Sequence, residues 1–170
     1  MYPHPERHER RLTIVKSLVL YESEYGNTQK IAIAIAEALG KHGEARVTPV
    51  SSIADLGAEG RFDVLAVGAP TQRHHLPAAV KELLEDTPRG TLANVRALAF
   101  DTRYPRSRWI TGSAAGEIGK HLRRMGCKML AEPESFFVVG EGGPLEPGEE
   151  DRASAWAARS LGRTQRATST

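Results

Sequence analysis

The chain has 170 residues, 40% hydrophobic and 26% charged, with a formal net charge of +2. That composition suits one globular domain with a sizeable core. No apolar run reaches the roughly eighteen residues of a membrane span, and a nearly balanced charge without a basic, aromatic-laced stripe argues against nucleic acid as a partner. Cys127 is the single cysteine, which excludes an internal disulfide and a cysteine metal cage. The opening MYPHPERHERR is polar and lacks the apolar run of a secretory signal, so a cytoplasmic location is expected.

Residues 1–14 read as a polar tail, 15–162 as one domain, and 163–170 as a second tail. Ser17–Tyr21, SLVLY, is a strand apolar enough for burial on both faces. A polar turn, Glu22–Asn27, leads into a helix over Thr28–Leu39. Its IAIAIA run alternates like a strand, but the Ala content, the four-residue spacing of Ile31, Ile35 and Leu39, and Gly40 as a C-cap favour helix. Arg46–Val50 is a second strand, placed at an edge by Pro49. Phe62–Val67 is a third, ended by Gly68-Ala69-Pro70. A helix over Pro77–Glu85 aligns Val80, Leu83 and Leu84, and Val95–Phe100 is a fourth strand. Ser113 caps a helix over Ala114–Met125, striped by Ile118, Leu122 and Met125 and stopped by Gly126. The fifth strand is interrupted: Lys128–Ala131 and Ser135–Val139 flank Glu132-Pro133-Glu134. A last helix covers Glu149–Leu161, with acids at its positive end. Five strands alternating with about five helices predict an α/β three-layer sandwich around a parallel sheet.

In such a sheet, ligands sit beyond the carboxyl ends of the strands, at the switch point of strand order. The turn after strand one, Glu22-Ser23-Glu24-Tyr25-Gly26-Asn27-Thr28, offers hydroxyls, an amide, a permissive glycine and the N–H groups of a helix start. It has neither the Gly-Lys-Ser/Thr of a triphosphate loop nor the G-x-G-x-x-G of a dinucleotide turn. A single phosphomonoester is what it suits, although ordinary βα turns use the same residue types to cap helices.

The run Leu20-Tyr21-Glu22-Ser23-Glu24-Tyr25-Gly26-Asn27-Thr28, followed by Ile31 and Ala32, resembles the flavodoxin signature that grips the FMN phosphate. In that signature a Ser/Thr, a Thr and a Gly-Asn-Thr recur in this order; Tyr25 stands where the middle Thr or Ser is usual. Gly68-Ala69-Pro70-Thr71 and the FDTR…TGSAA segment also resemble this family, in particular its small bacterial flavodoxin-domain proteins. The likeness runs from about Lys16 to Leu161. It implies a five-stranded parallel sheet in the order 2-1-3-4-5 and one non-covalent FMN. By this resemblance Ser23, Glu24, Tyr25, Gly26, Asn27 and Thr28 hold the phosphate, and Pro70, Thr71, Gln72 and Arg73 flank the isoalloxazine ring. Asp101, Thr102, Arg103, Tyr104 and Trp109 form the second flanking loop. The first flanking loop lacks the Trp that flavodoxins often stack there; His74 or the stem of Arg73 is the available substitute.

A guanidinium near the pyrimidine end, for which Arg103 is the candidate, favours negative charge there and raises the potential. The rim expected from Arg73, Arg103, Arg106 and Arg108 is basic, unlike that of acidic electron-shuttle flavodoxins. It suits a neutral or acidic redox partner or small acceptor. His74 and His75 point apart along an extended chain and have no evident third ligand, so no metal is expected. The implied function is electron transfer through FMN. Two alternatives stay open: a flavin-dependent quinone reductase or protoporphyrinogen oxidase-like oxidoreductase, and a flavin-free regulatory domain of the same fold. A phosphorylated receiver domain is excluded, because strand three ends in Gly-Ala-Pro where an Asp is required.

Overall fold

A computed structural model describes residues 14–72, 75–107 and 112–167. Arg73, His74, Arg108 and Trp109, the leader through residue 13 and the final residues 168–170 lie outside that description.

The strand β1 (Val15–Tyr21) sends Leu18 and Leu20 to one face and Val19 to the other, as the two-residue period of a strand requires. Both faces are apolar, so both must be covered. The same holds for β3 (Val64–Pro70), with Leu65 and Val67 on one side and Val64 and Ala66 on the other. It holds also for β4 (Arg96–Arg103), where Ala97 and Ala99 oppose Leu98 and Phe100. On one face lie the helices α1 (Asn27–Gly40) and α4 (Glu149–Ala167), which bring Ile31, Ile35 and Leu39, and Ala153, Trp156 and Leu161. On the other lie α2 (Ala78–Asp86) and α3 (Ala114–Arg124), with Val80 and Leu84, and Ile118 and Leu122. The product is the expected three-layer sandwich.

The edge strand β2 (Gly43–Pro49) pairs with β1 from Val15↔Gly43 to Tyr21↔Pro49. All named strand pairs are parallel, and the order is β2-β1-β3-β4-β5, matching the 2-1-3-4-5 expectation. The fifth position is filled in two pieces, as the proline-split pattern suggested, though both are shorter. The first, β5 (Lys128–Met129), pairs at Arg96↔Lys128 and Ala97↔Met129. The second, β6 (Glu134–Phe137), pairs from Phe100↔Glu134 to Arg103↔Phe137. Residues 130–133 therefore face just Leu98 and Ala99. The surplus bulges outward, where Pro133, which has no N–H to give the ladder, packs toward Gly119 of α3.

Three local expectations are corrected. Gly40 is inside the last turn of α1 and caps nothing; the C-cap is Lys41. The glycine the turn needs is Gly43, where a Cβ would lie 2.1 Å from the Val15 carbonyl oxygen. The β2–β3 crossover carries two single 3-10 turns, Val50–Ser52 and Leu56–Ala58, where the alternation suggested a helix. Its Gly57 and Gly60 break any helical run. The last helix continues past Leu161 through Gly162 to Ala167, where a tail was expected.

The α4 start is tied to the edge strand by charge. Glu149 accepts hydrogen bonds from the Phe137 N–H at 2.7 Å and from Arg152 Nε and Nη2 at 2.8 and 2.7 Å. Arg152 also lies over the Phe136 ring, 4.5 Å from its centroid. Burial pushes the Glu149 carboxyl up, but the Arg152 and Phe137 hydrogen bonds outweigh it and hold the group below its ordinary value. A lowered carboxylate stabilises the fold above the unfolded pKa, about 4.3 for Glu, and loses that contribution as pH falls through the lower folded value. Glu149→Gln is accordingly expected to flatten the acid limb of a stability-versus-pH curve, measured by urea unfolding between about pH 3 and 6.

Gly68 of β3 faces Phe100 of β4 in register, and a Cβ there would sit 2.1 Å from the Phe100 ring. Gly68→Ala is expected to cost about 1–3 kcal/mol by overpacking, read as a lower urea midpoint with an unchanged slope.

Candidate functional site

The carboxyl ends of β1, β3, β4 and β6 open onto a cleft of about 710 Å³, within the usual ~300–1,000 Å³ range of small-molecule sites. It lies across the β1–β3 boundary, the switch point of the sheet.

The first wall is the turn after β1. The Glu22 N–H donates to the Gly68 carbonyl at 3.0 Å and pins the turn to the neighbouring strand. Gly26 then adopts φ 84°, a left-handed conformation, and α1 begins at Asn27 with no side-chain cap. Ser23 Oγ accepts from the Gln29 N–H at 3.3 Å. The N–H groups of Asn27 and Thr28 meet no acceptor among the described residues, although helix starts normally satisfy such donors. No acidic residue stands in the first turn of α1. Thr28 is buried, with its hydroxyl 2.8 Å from that of Thr102. Free N–H groups, a helix dipole and neutral hydroxyls together suit an anion that carries its own charge.

The second and third walls are the loops after β3 and β4. Pro70, Thr71, Gln72 and His75 line the cleft. Gln72 and His75 exchange backbone bonds at 3.4 and 2.7 Å, closing a tight turn, and Gln72 Nε2 donates to Glu24 at 2.8 Å, joining this loop to the first wall. From β4 come Thr102, Arg103 and Tyr104. A fourth wall is the loop after β6, with Val138, Gly140, Glu141 and Gly142. Asn27 Nδ2 reaches across to donate to the Gly143 carbonyl at 2.6 Å. A Cβ on Gly142 would stand 3.1 Å from the Tyr25 ring, so the ring rests against bare backbone there. The Tyr25 hydroxyl has its pKa raised, mainly by the negative charge of Glu24 and further by Glu141.

The family model described as "Flavodoxin domain" matches residues 18–105, which is more than half of the chain. The chain belongs to the flavodoxin-domain family. Its fold is also that of oxidised Flavodoxin 1 from Bacillus cereus, at a TM-score of 0.70 and 16% identity, covering 86% of this chain and 97% of that one. Rubredoxin oxygen:oxidoreductase from the anaerobe Desulfovibrio gigas matches at a TM-score of 0.68 and 17% identity, over 89% of this chain and 36% of that larger one. A WrbA-like flavodoxin protein from Agrobacterium tumefaciens matches at 0.64 and 14%, over 89% and 98%. At these identities the likeness carries the fold alone.

In this flavodoxin-domain chain, the expected residues Ser23, Glu24, Tyr25, Asn27, Thr28, Pro70, Thr71, Gln72, Thr102, Arg103 and Tyr104 all border one cleft. Gly26 shapes the turn without lining it. Asp101 does not face the cleft: it is fully buried behind it, bonded to Thr71, Ser113 and Ala115. Arg103 borders the cleft, but its guanidinium is turned into the β4–β6 edge. Nε donates to Ser135 at 2.9 Å, Nη1 donates to the carbonyls of Tyr104 and Arg106, and the group stacks over Phe137. These protein partners hold the guanidinium at the edge of the cleft. Arg73 and Trp109 lie outside the described residues. Among the described residues, the charged side chains that line the cleft beside Arg103 are Glu24 and Glu141; of the arginines expected at a basic rim, Arg73 and Arg108 lie outside the described residues. The fourth wall was not anticipated as lining. The signal for the wall was present in Gly140-Glu141-Gly142-Gly143, a glycine-rich run at the same end of the sheet.

The Asn27–Gly143 bond ties the α1 start to the fourth wall. Asn27→Ala is expected to free that wall by about 1 kcal/mol. The readout is hydrogen exchange at Gly140–Gly143, roughly fivefold faster, with the protection of the β1 and β3 cores unchanged.

Proposed function

We propose that this flavodoxin-domain protein binds one FMN non-covalently in the cleft and uses it to pass electrons between redox partners. The observation that carries this reading is the lysine-free amino end of α1, where the Asn27 and Thr28 N–H groups are left open beside the Ser23 and Thr28 hydroxyls. A phosphomonoester supplies the charge such a neutral cradle lacks. The ring of the cofactor would lie between the loops after β3 and β4, against Thr71, Gln72 and Tyr104, with the 140–143 loop along one side. Bound FMN supplies one- and two-electron chemistry; the protein holds it, excludes water from part of it and sets the charge around it. Glu24 and Glu141 in the lining disfavour added negative charge nearby and so act to lower the potential.

A second reading is an oxidoreductase acting on a small acceptor such as a quinone. It is favoured by His75, which lines the cleft and is a residue type able to deliver a proton. Steady-state turnover with NAD(P)H and a quinone separates the two, since a pure carrier shows no saturable quinone dependence without a reductase.

Mixing the purified protein with FMN is expected to quench flavin fluorescence at one equivalent and to release heat. Riboflavin, which lacks the phosphate, is expected to bind at least about tenfold more weakly, since each hydrogen bond to a charged group is worth about 1.5–3 kcal/mol. Ser23→Ala and Thr28→Val are expected to narrow that gap. No quenching and no heat with FMN leaves a flavin-free domain of the same fold.

A further inference from the structure

We propose that Asp101 is a positioning residue of the ring-facing wall, its buried carboxylate fixing both the place of Thr71 and the direction of the Thr71 hydroxyl proton. The proposal rests on the FMN reading above.

Asp101 is fully buried at the end of β4. Its Oδ2 accepts from Thr71 Oγ1 at 3.1 Å, Ser113 Oγ at 2.9 Å and the Ala115 N–H at 2.9 Å. Its Oδ1 makes no hydrogen bond and faces Arg103 Nε at 3.9 Å. Burial of a carboxylate is costly unless it is paired and hydrogen-bonded, and here three donors, the positive end of α3 and Arg103 compensate it.

The proton directions follow from the partners. The Ala114 N–H donates to Thr71 Oγ1 at 3.0 Å, and the Gly116 N–H to Ser113 Oγ at 3.2 Å. Each hydroxyl thus accepts from a backbone amide and must aim its own proton at Asp101, which as a carboxylate can only accept. The Thr71 N–H is occupied as well, donating to the Thr102 carbonyl at 3.0 Å. The Thr71 hydroxyl therefore has one oxygen lone pair left for the cleft and no donor. One carboxylate behind the wall determines the polarity of the wall, ties β3, β4 and α3 together, and places negative charge near the ring without touching it.

The test uses the intact protein and the isosteric Asp101→Asn, with FMN, riboflavin and inorganic phosphate as probes. The expected result is that FMN and riboflavin both bind about tenfold more weakly, by the loss of a charged hydrogen-bond acceptor, so their ratio stays as in the wild type. Competition by inorganic phosphate against FMN is expected to be unchanged. The midpoint potential of the bound flavin is expected to become more positive, because a buried negative charge has been removed. A variant that is merely loosened would lose phosphate competition in parallel, and that result overturns the proposal. Wild-type riboflavin affinity with an unmoved potential also overturns it. If Asp101→Asn does not fold, Thr71→Val and Thr71→Ser decide: affinity lost in the first and kept in the second supports the proposal, and equal affinity in both refutes it. A wild-type protein that binds no FMN refutes the FMN reading itself, a separate outcome seen before any variant is made.

Discussion

Every helix start leaves backbone N–H groups that need acceptors, and this chain treats two of them in opposite ways at the same end of its sheet. At α3 the donors of the first turn are all met: Ala114 by Thr71, Ala115 by Asp101, Gly116 by the Ser113 side chain and Glu117 by the Ser113 carbonyl. At α1 the cap is a left-handed glycine with no side chain to offer, and the N–H groups of Asn27 and Thr28 stay open among the described residues. An unmet buried donor costs about 1–3 kcal/mol. The fold tolerates that where the cleft begins and removes it one helix away. The contrast is what makes one amino end a place for a phosphate and the other a rigid backing.

The backing matters because the cleft is assembled from loops that follow different strands. Loops are the mobile parts of a domain unless something ties them. Here the ties cross between walls: Gln72 to Glu24, Asn27 to Gly143, Thr28 to Thr102, and Thr71 with Ser113 on Asp101. Each bond alone is worth about 1 kcal/mol. Together they hold a site built at long range, so that its geometry depends on the register of β1, β3, β4 and β6.

Arg103 and Arg152, at the carboxyl end of the sheet, are both tied to partners within the protein. The Arg103 guanidinium donates to Ser135 and two carbonyls and has one face over Phe137. Arg152 is held likewise by Glu149 and Phe136. Glu24 and Glu141 stay at the cleft and bear on Tyr25. Among the described residues, the aromatic side chains at the opening are Tyr25 and Tyr104, exposed at 58% and 37%, which leaves apolar surface where a ring can stack.

Local pattern alone determined the alternation of strands and helices, the three-layer class and the βα turn from Ser23 to Thr28; the strand order came from the resemblance of that turn to the flavodoxin signature. Short-range physics governs all three: the two-residue period of buried strands, the four-residue spacing of Ile31, Ile35 and Leu39, and a turn whose chemistry sits in consecutive residues. Tertiary structure decided where side chains point. Asp101 and Arg103, on either side of Thr102 in one strand, were expected at the cofactor through the family resemblance, yet Ser113 holds Asp101 behind the cleft and Ser135 holds the Arg103 guanidinium at its edge. The 140–143 wall and the place of His75 at the cleft likewise exist through contacts between segments far apart in the chain or across a loop closure. Such contacts have no local signature, because their geometry comes into being only when the sheet register brings the loops to one edge.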